Sequence, residues 1–396
     1  MSETAGEREQ RSLAARVSLL FAALSVIIGT QLPYLPVWLD WAGLGASEIA
    51  AITGTPLIVR VAVTPAIAFA ADRVGDHRKF LIGLAWVGLV GFVAMAQSRS
   101  FWPILAWTIV ASLAWTSILP LTEAVAMRGV KYAGLDYGRM RLWGSLSFIA
   151  ASFVGGWVVA RLGGASAIWL LTAGAALTAA ATHGLVRPAI EGRSKAARPA
   201  RQAIRDATGL LRSRAFLLLL IGAGLTQASH AAFYTFGTLH WRALGLSTAW
   251  SGMLWAVSIV AEVALFAYSG AVVRRIGAVR LIVLGAGAAL LRWLIMGLDP
   301  ALFVLLPLQI LHALTFGATH IGAIHYIGRG VPEAQAGTAQ ALYASITGGI
   351  ATGGVTLMVG PVYAACAGRV YWAMALVAAA ALLASLALAK ARGDAS

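Results

Sequence analysis

The sequence predicts an all-α integral membrane protein whose twelve transmembrane helices form two pseudo-symmetric six-helix bundles. Hydrophobic residues make up 60% of the 396-residue chain and charged residues only 11%, with a mean hydropathy of +0.81. This composition leaves too little polar surface for a water-soluble globule. Apolar runs of transmembrane length follow one another along the chain, a basic segment divides them at the midpoint, and one loop motif recurs in both halves.

The apolar runs are about 18–25 residues long, enough to cross the hydrocarbon core of a bilayer. We expect an N-terminal bundle at residues 13–186, a basic linker at 187–214 and a C-terminal bundle at 215–390, with short ends at 1–12 and 391–396. The runs begin near Leu13, Ser47, Phe80, Phe101, Leu142 and Gly164 in the first half, and near Phe216, Ser247, Val279, Ala301, Gly337 and Gly368 in the second.

The formal net charge of +15 is spread over alternate loops, so it does not form the single basic patch of a nucleic-acid-binding surface. The loops after the even-numbered helices are the basic ones. They carry Arg73, Arg78 and Lys79; Arg128, Lys131 and Arg139; the basic residues from Arg193 to Arg214; Arg274, Arg275 and Arg280; and Arg329. Because positive loops stay in the cytoplasm, we expect both termini, the linker and the tail to be cytoplasmic.

The chain has one cysteine, Cys366, which excludes an internal disulfide and a cysteine metal cluster. We expect no metal and no cofactor. The polar N-terminal run leads into a hydrophobic segment without a small-residue cleavage site, so we expect the first helix to be retained. We also expect a monomer.

A loop motif recurs at a constant offset of 202 residues, as ADRVGDHRK after helix 2 and VRRIGAVRL after helix 8. Gly75 permits a tight turn, and Asp72 can pair with a basic group as two helices move. We therefore predict a gating loop here. The matched pairs are Arg73 with Arg275, Gly75 with Gly277, and Arg78 with Arg280.

Polar side chains recur at helical spacing inside the apolar runs. A bilayer offers no partners to such groups, so each is either buried in a bundle or lines a wet cavity. Packing alone explains lone residues such as Thr53, Ser112 and His312. Buried charges are more costly and favour a function. The charged residues are Arg60, Glu123, Glu262 and Arg292, and for His230 and His320 both interpretations remain open.

The offset of 202 residues also superposes Arg60 of helix 2 on Glu262 of helix 8. Opposite charges therefore occupy equivalent positions in the two halves. This arrangement suits a carrier whose halves rock about a central site, with an anion-binding group in one half and a titratable carboxylate in the other.

The chain resembles lactose permease and its relatives in the major facilitator superfamily. The string LPYLPVWL from Leu32 to Leu39 is similar to the end of that family's first helix. Charged residues also match at similar separations: Glu123 with Gly138, Arg139, Arg141 and Gly144, and Glu262 with Arg292 and His320. The resemblance implies the major facilitator fold, with Arg141 paired to Glu123 or Glu262.

Four longer strings resemble the phenylpropionate permease branch of that superfamily: LDYGRMRLWGSLSF from Leu135, QASHAAFYTF from Gln227, VAEVALFAYS from Val260 and QILHALTFGATH from Gln309. This resemblance implies proton symport in a bacterial inner membrane. Phe148 and Ala323 depart from the sugar carrier's stacking tryptophan and helix 10 carboxylate. The remaining candidates for the proton site are Glu262, Glu123 and His320.

Cationic and aromatic side chains that recur at helical spacing inside the apolar runs predict the chemistry of the substrate. Three arginines against two deeply placed glutamates leave one positive charge, which an anionic substrate would neutralise, and a planar ring would add stacking. We therefore expect an aromatic carboxylate such as 3-phenylpropionate. The predicted binding residues are Arg60, Arg141, Arg292, Trp143, Phe148, His230, Tyr234, Trp255 and Phe316.

Three alternative functions are compatible with parts of this pattern. A sugar, nucleoside or drug carrier or exporter would have the same fold, because substrate range changes within one architecture. An intramembrane enzyme is remote, since the chain has no nucleophile elbow and no HExxH motif. A receptor without transport would carry a long regulatory tail, which the sequence lacks.

Overall fold

The computed structural model describes residues 5–74, 76–185 and 200–393, and in these ranges the regular structure is helical without a strand. The α-helices are α1 Ala5–Trp41, α2 Ala46–Val74, α3 His77–Gln97, α4 Phe101–Ala133, α5 Tyr137–Leu162, α6 Ser166–His183, α7 Ala200–Arg212, α8 Arg214–Ala228, α9 Ala231–Ala243, α10 Thr248–Ala267, α11 Ser269–Ile276, α12 Ala278–Met296, α13 Leu302–Ile310, α14 Thr319–Gly330, α15 Glu333–Ala344, α16 Thr352–Cys366 and α17 Val370–Gly393.

Ten stretches of the described chain are long and apolar enough to cross a membrane, judged by length and composition. The last, Glu333–Ala391, has 59 residues and would be about 90 Å long as one helix, so it supplies two crossings. A 3₁₀ turn at Ala367–Arg369 divides it. Helix α6, with 18 residues, is not among the ten stretches but is long enough to cross. With it, the described helices are compatible with the twelve crossings that the sequence predicts.

Eleven of the twelve predicted runs begin within five residues of an observed helix start. The exception is α1, which begins at Ala5, eight residues before Leu13 and inside the predicted N-terminal end 1–12. A second difference lies in the linker. The linker was predicted only as a basic segment, whereas its second part forms α7. Residues 186–199 lie outside the described chain. The two six-helix bundles with their predicted limits remain an expectation.

The first compact unit comprises Met1–Leu44, Val59–Ala196 and Ser247–Ala256. Its centre is the contact of α1 with α5, where a Cβ at Gly29 would lie 2.7 Å from the Phe148 carbonyl oxygen. The Ser152 hydroxyl donates to the Gly29 carbonyl at 3.0 Å, and the Tyr34 hydroxyl donates to the Ser152 carbonyl. Small residues therefore let these two helices approach closely.

The second compact unit comprises Gly45–Ile58, Ala197–Leu246 and Val257–Ser396. In it α12 packs against α14 and α17, and α17 packs against α8. Gly285 on α12 faces Thr319, whose hydroxyl oxygen would lie 2.0 Å from an added Cβ. Glycine at this position therefore allows α12 to lie against the start of α14.

Two π-helical turns interrupt the α-helical pattern of this unit, at Ala313–Ala318 between α13 and α14 and at Ser345–Ala351 between α15 and α16. Such turns leave backbone carbonyl groups available to other donors and are frequent at functional sites. The Phe316 carbonyl accepts a hydrogen bond from the Gln227 amide at 3.4 Å. The first turn thus joins the α13–α14 segment to α8.

Candidate functional site

The first unit contains a charged cluster where α4 and α5 meet. The Tyr137 hydroxyl interacts with the Glu123 carboxylate and with the Arg141 guanidinium. All three side chains are half-buried. Arg141 also lies over the Phe21 ring, with its guanidinium carbon 5.6 Å from the ring centre. The structure therefore brings Glu123 and Arg141 together through a tyrosine and leaves part of the arginine accessible.

The second unit contains an arginine of the opposite character. Arg292 on α12 is 0% exposed and lies over two adjacent rings, with its guanidinium carbon 4.7 Å from the centres of Phe233 and Trp293. Its Nη2 donates to the Gln309 amide oxygen at 2.7 Å. Its Nη1 lies 3.2 Å from His312 Nδ1 and 3.4 Å from the Thr315 hydroxyl. Neutral acceptors therefore hold this buried cation.

The proton positions on His312 follow from these contacts. A guanidinium can only donate, so Nδ1 of His312 must accept from Arg292 and carries no proton. The ring is then neutral, with its proton on Nε2. This nitrogen lies 3.5 Å from the Glu262 carboxylate on α10. His312 thus stands between Arg292 and Glu262 with opposite hydrogen-bonding roles at its two nitrogens.

His230, between α8 and α9, carries its proton on the other ring nitrogen from His312. Its Nδ1 lies 3.1 Å and 3.2 Å from the carbonyl oxygens of Thr226 and Gln227, so this nitrogen carries the proton in the neutral ring. Its Nε2 then accepts from the Thr315 hydroxyl at 2.8 Å. His230 is 0% exposed, and its hydrogen-bonding groups are directed within the protein.

Three rings form a stacked row along the segment that joins α13 and α14. Phe316 lies 5.4 Å from His312 and 6.1 Å from His320, with interplanar angles of 16° and 14°. His320 interacts electrostatically with Glu262 and lies 3.5 Å from the Tyr343 hydroxyl. The two histidines at the ends of the row therefore both face the carboxylate.

The other predicted binding residues lie in different environments. Phe148 and Trp255 are buried, with 8% and 2% exposure. Arg60 on α2 is half-buried. Tyr234 stacks on His230 with ring centres 5.4 Å apart. Trp143 is 56% exposed on α5, where Leu146, Phe153 and Trp157 share its exposed face.

The predicted gating loop is described only in part, because Gly75 and the Asp72 side chain lie outside the described residues. Arg73 is exposed. Arg78 donates to the His183 carbonyl at 3.2 Å, and Arg16 donates to the Gly184 carbonyl at 2.7 Å. Two arginines therefore bind the carbonyl groups at the end of α6, where a helix has free acceptors.

Sequence reasoning missed the residues that connect the charges. His312 was interpreted as packing, and Gln309, Thr315 and Tyr137 were not selected as site residues. The spacing of Gln309, His312, Phe316 and His320 by three, four and four residues was the available signal, since such residues share one helix face. The π-helical turn brings Thr315 to the same cluster.

Comparisons with known proteins agree with this architecture. Residues 13–374 match the model of the MFS_1 like family. The chain is 32% identical over 360 residues to a probable 3-phenylpropionic acid transporter of Escherichia coli (strain K12), which covers 88% of this chain and 91% of that protein. It is 28% identical to the maltose permease of Geobacillus stearothermophilus, covering 86% of each chain.

Solved structures show the same fold at lower identity. The nucleoside transporter NupG superposes with a TM-score of 0.83 at 19% identity, covering 96% of this chain and 99% of NupG. A bacterial homologue of the human lysosomal transporter Spinster gives a TM-score of 0.73 at 15% identity, covering 98% and 99%. The predicted major facilitator fold is thereby confirmed, and the chain is a transporter rather than an enzyme. The protein belongs to the MFS_1-like family of major facilitator transporters.

Proposed function

We propose that this transporter is a proton symporter of a small aromatic carboxylate, such as 3-phenylpropionate, and works by alternating access. The observation that carries the proposal is the connected series Glu262, His312 and Arg292 in the second unit. It links a titratable carboxylate to a buried cation through one neutral histidine. The 32% identity to a probable 3-phenylpropionic acid transporter supports the choice of substrate.

Charge balance explains how this series would couple two ligands. A buried charge without compensation is costly in a membrane. When Glu262 takes up a proton, the unit loses a negative charge while Arg292 keeps its positive charge. A carboxylate that enters with the proton restores the balance. We therefore assign the proton to Glu262, with His320 as the neighbouring candidate and Glu123 as the candidate in the first unit.

The arginines would have different roles in binding the anion. Arg292 is completely buried, which favours a positioning role in this conformation. Arg60 and Arg141 are only half-buried, so a carboxylate can approach each guanidinium. Tyr234 offers a ring for stacking. Phe316 offers a ring edge, because its faces lie against His312 and His320, and the exposed apolar face around Trp143 favours a lipid contact. Arg60 and Arg141 are thus our candidates for the anion, and Tyr234 and Phe316 for the ring.

A sugar or nucleoside substrate is the second candidate, because the maltose permease is 28% identical to this chain and the nucleoside transporter NupG shares its fold. A neutral solute would leave the proton on Glu262 without a compensating anion. An exporter would use the same groups in the opposite direction.

The proposal includes topology and assembly. The basic loops follow every second one of the twelve predicted transmembrane helices, which favours cytoplasmic termini. The membrane would be a bacterial inner membrane. The two halves would be six-helix bundles at residues 13–186 and 215–390 that rock about the site, with Asp72, Arg73, Gly75 and Arg78 in a gating loop. The protein would act as a monomer.

Uptake into proteoliposomes with an alkaline lumen tests this function. Neutral phenylpropionic acid also crosses bare lipid and is trapped in the lumen as its anion, so protein-free vesicles set the baseline. Symport of one proton with one carboxylate reaches the same final level as this passive trapping, so the initial rate of uptake is the quantity compared. We expect labelled 3-phenylpropionate to enter faster than in protein-free vesicles, and unlabelled acid to compete for this added rate. The isosteric amide, 3-phenylpropanamide, should not compete. Accumulation of labelled maltose or uridine instead, or equal competition by acid and amide, would overturn the proposed substrate class.

A further inference from the structure

Helix α7, just before the first spanning helix of the C-terminal half, is fixed to the second unit along one face only. Leu210 is 6% exposed and belongs to an apolar cluster with Phe216, Ile327 and Tyr343. Asp206 is 7% exposed and accepts a hydrogen bond from the Gln202 amide at 3.0 Å. These contacts hold α7 against α8 and α15 and leave its other faces open.

The open side carries an apolar stripe and a basic stripe next to each other. Ile204 and Leu211 are seven residues apart, and therefore on one side of the helix, with exposures of 67% and 36%. Arg205 and Arg212 follow them by one residue and are also exposed. A step of one residue turns the helix by about 100°. Apolar and cationic groups thus lie side by side, as in helices at a membrane surface.

The position of α7 in the chain indicates that this face lies near the lipid headgroups. Only Ser213 separates α7 from α8, and α8 begins the candidate span Arg214–Ala243. A 13-residue helix at this point cannot lie far from the lipid headgroups. The linker sequence 187–214 contains eight Lys and Arg residues against two acidic ones, and basic clusters beside a spanning helix attract anionic lipid.

We propose that α7 is an interfacial helix that binds anionic phospholipid headgroups through Arg205 and Arg212 and inserts Ile204 and Leu211 at the headgroup–acyl boundary. The bilayer surface is the partner of this face for two reasons: the arginines are opposite in charge to anionic lipid, and α7 continues directly into the spanning helix α8. This inference depends on the membrane setting of the transporter and not on its substrate.

Spin labels on the full-length transporter in nanodiscs measure the depth of this face. The chain has one cysteine, Cys366, whose thiol donates to the Val362 carbonyl, so Cys366→Ser provides a background that keeps a donor. Labels then replace Ile204 or, as a matched control on the polar side, Gly209, where an added Cβ meets open space. Each variant is measured in phosphatidylcholine alone and with phosphatidylglycerol.

We expect the label at 204 to lie about 5–10 Å below the phosphates, with high accessibility to oxygen and low accessibility to an aqueous relaxant. Phosphatidylglycerol should deepen it, and Arg205→Gln with Arg212→Gln should remove that dependence. The label at 209 should stay accessible to the aqueous relaxant. Equal depth in both lipids would overturn the anionic preference. Two results would overturn the membrane contact. One is a label at 204 that is accessible to the aqueous relaxant, and the other is a label shielded from both oxygen and the aqueous relaxant, which indicates that protein covers it.

Discussion

Arg141 in the first unit and Arg292 in the second show two ways of keeping an arginine inside a membrane protein. Arg141 is half-buried and shares Tyr137 with a carboxylate. Arg292 is 0% exposed, and its described hydrogen-bond partners are the neutral side chains of Gln309, His312 and Thr315. The first arrangement leaves donor groups for a ligand. The second uses the guanidinium to hold three side chains in place.

This difference gives the two arginines different roles: Arg141 is placed to contact a solute, and Arg292 to control the position of a proton. Because Arg292 fixes Nδ1 of His312 as an acceptor, it also fixes Nε2 as the donor that faces Glu262. Among the described contacts of Glu123 and Arg141, the side chain that interacts with both is Tyr137 and not a histidine. We therefore expect substitutions of Glu262, His312 and Arg292 to impair coupling, and substitutions of Tyr137 and Arg141 to change affinity.

The largest effect should follow from Arg292→Lys. A lysine ammonium has no flat face to lie on the Phe233 and Trp293 rings and does not match the fork of a guanidinium, so buried acceptors lose their donors. We expect transport to be lost and the apparent melting temperature to fall by about 5 °C, corresponding to about 2 kcal/mol. Arg141→Lys is the matched control and should shift melting by less than about 2 °C. Equal shifts in fluorescence-based melting of the two variants would contradict the comparison.

His312→Leu and His312→Gln test the bridge itself. Glutamine can accept from Arg292 through its oxygen and donate to Glu262 through its amide, whereas leucine leaves a donor of Arg292 unpaired. We expect proton-driven uptake to fall about a hundredfold in the leucine variant and less than about tenfold in the glutamine variant. If both variants lost uptake to the same extent, the hydrogen-bonding role of His312 would be wrong.

The predictability of the fold and the site differs for a physical reason. Length and hydropathy determine where a chain can cross a bilayer, so the helix starts and the charged residues were found from the sequence. Partners such as Gln309, Thr315 and Tyr137 are common polar residues whose role depends on tertiary contacts. Thr315 lies in a π-helical turn that simple 3.6-residue periodicity does not predict. The burial of Arg292 and the packing of α7 likewise depend on neighbouring helices.

A moderate effect is expected for Tyr137→Phe in the first unit. This variant removes one hydroxyl between Glu123 and Arg141 and keeps the ring. The loss of one polar contact of this kind corresponds to about 1 kcal/mol, or about a fivefold increase in the KM for uptake. The acceleration of uptake by a pH gradient at saturating substrate should not change, and its loss in the variant would place the coupling group in this unit.

The smallest effect is expected for Trp143→Leu. Trp143 lies on an exposed apolar face of α5 with Phe153 and Trp157, and leucine keeps that face compatible with lipid. We expect the KM to change by less than about twofold, as for other exposed sites. An increase of tenfold or more in concentration-dependent uptake would restore Trp143 as a binding residue.

The central claim is that Glu262 carries the coupled proton, and a comparison of exchange with accumulation in Glu262→Gln tests it most directly. Exchange of labelled for unlabelled 3-phenylpropionate at equal pH needs no net proton transfer, whereas accumulation driven by a pH gradient does. We predict that Glu262→Gln exchanges substrate but, under a pH gradient, shows no initial rate of net uptake above that of protein-free vesicles, while Glu123→Gln retains this added rate. Net uptake driven by the pH gradient in the Glu262→Gln transporter, faster than in protein-free vesicles, would contradict the account.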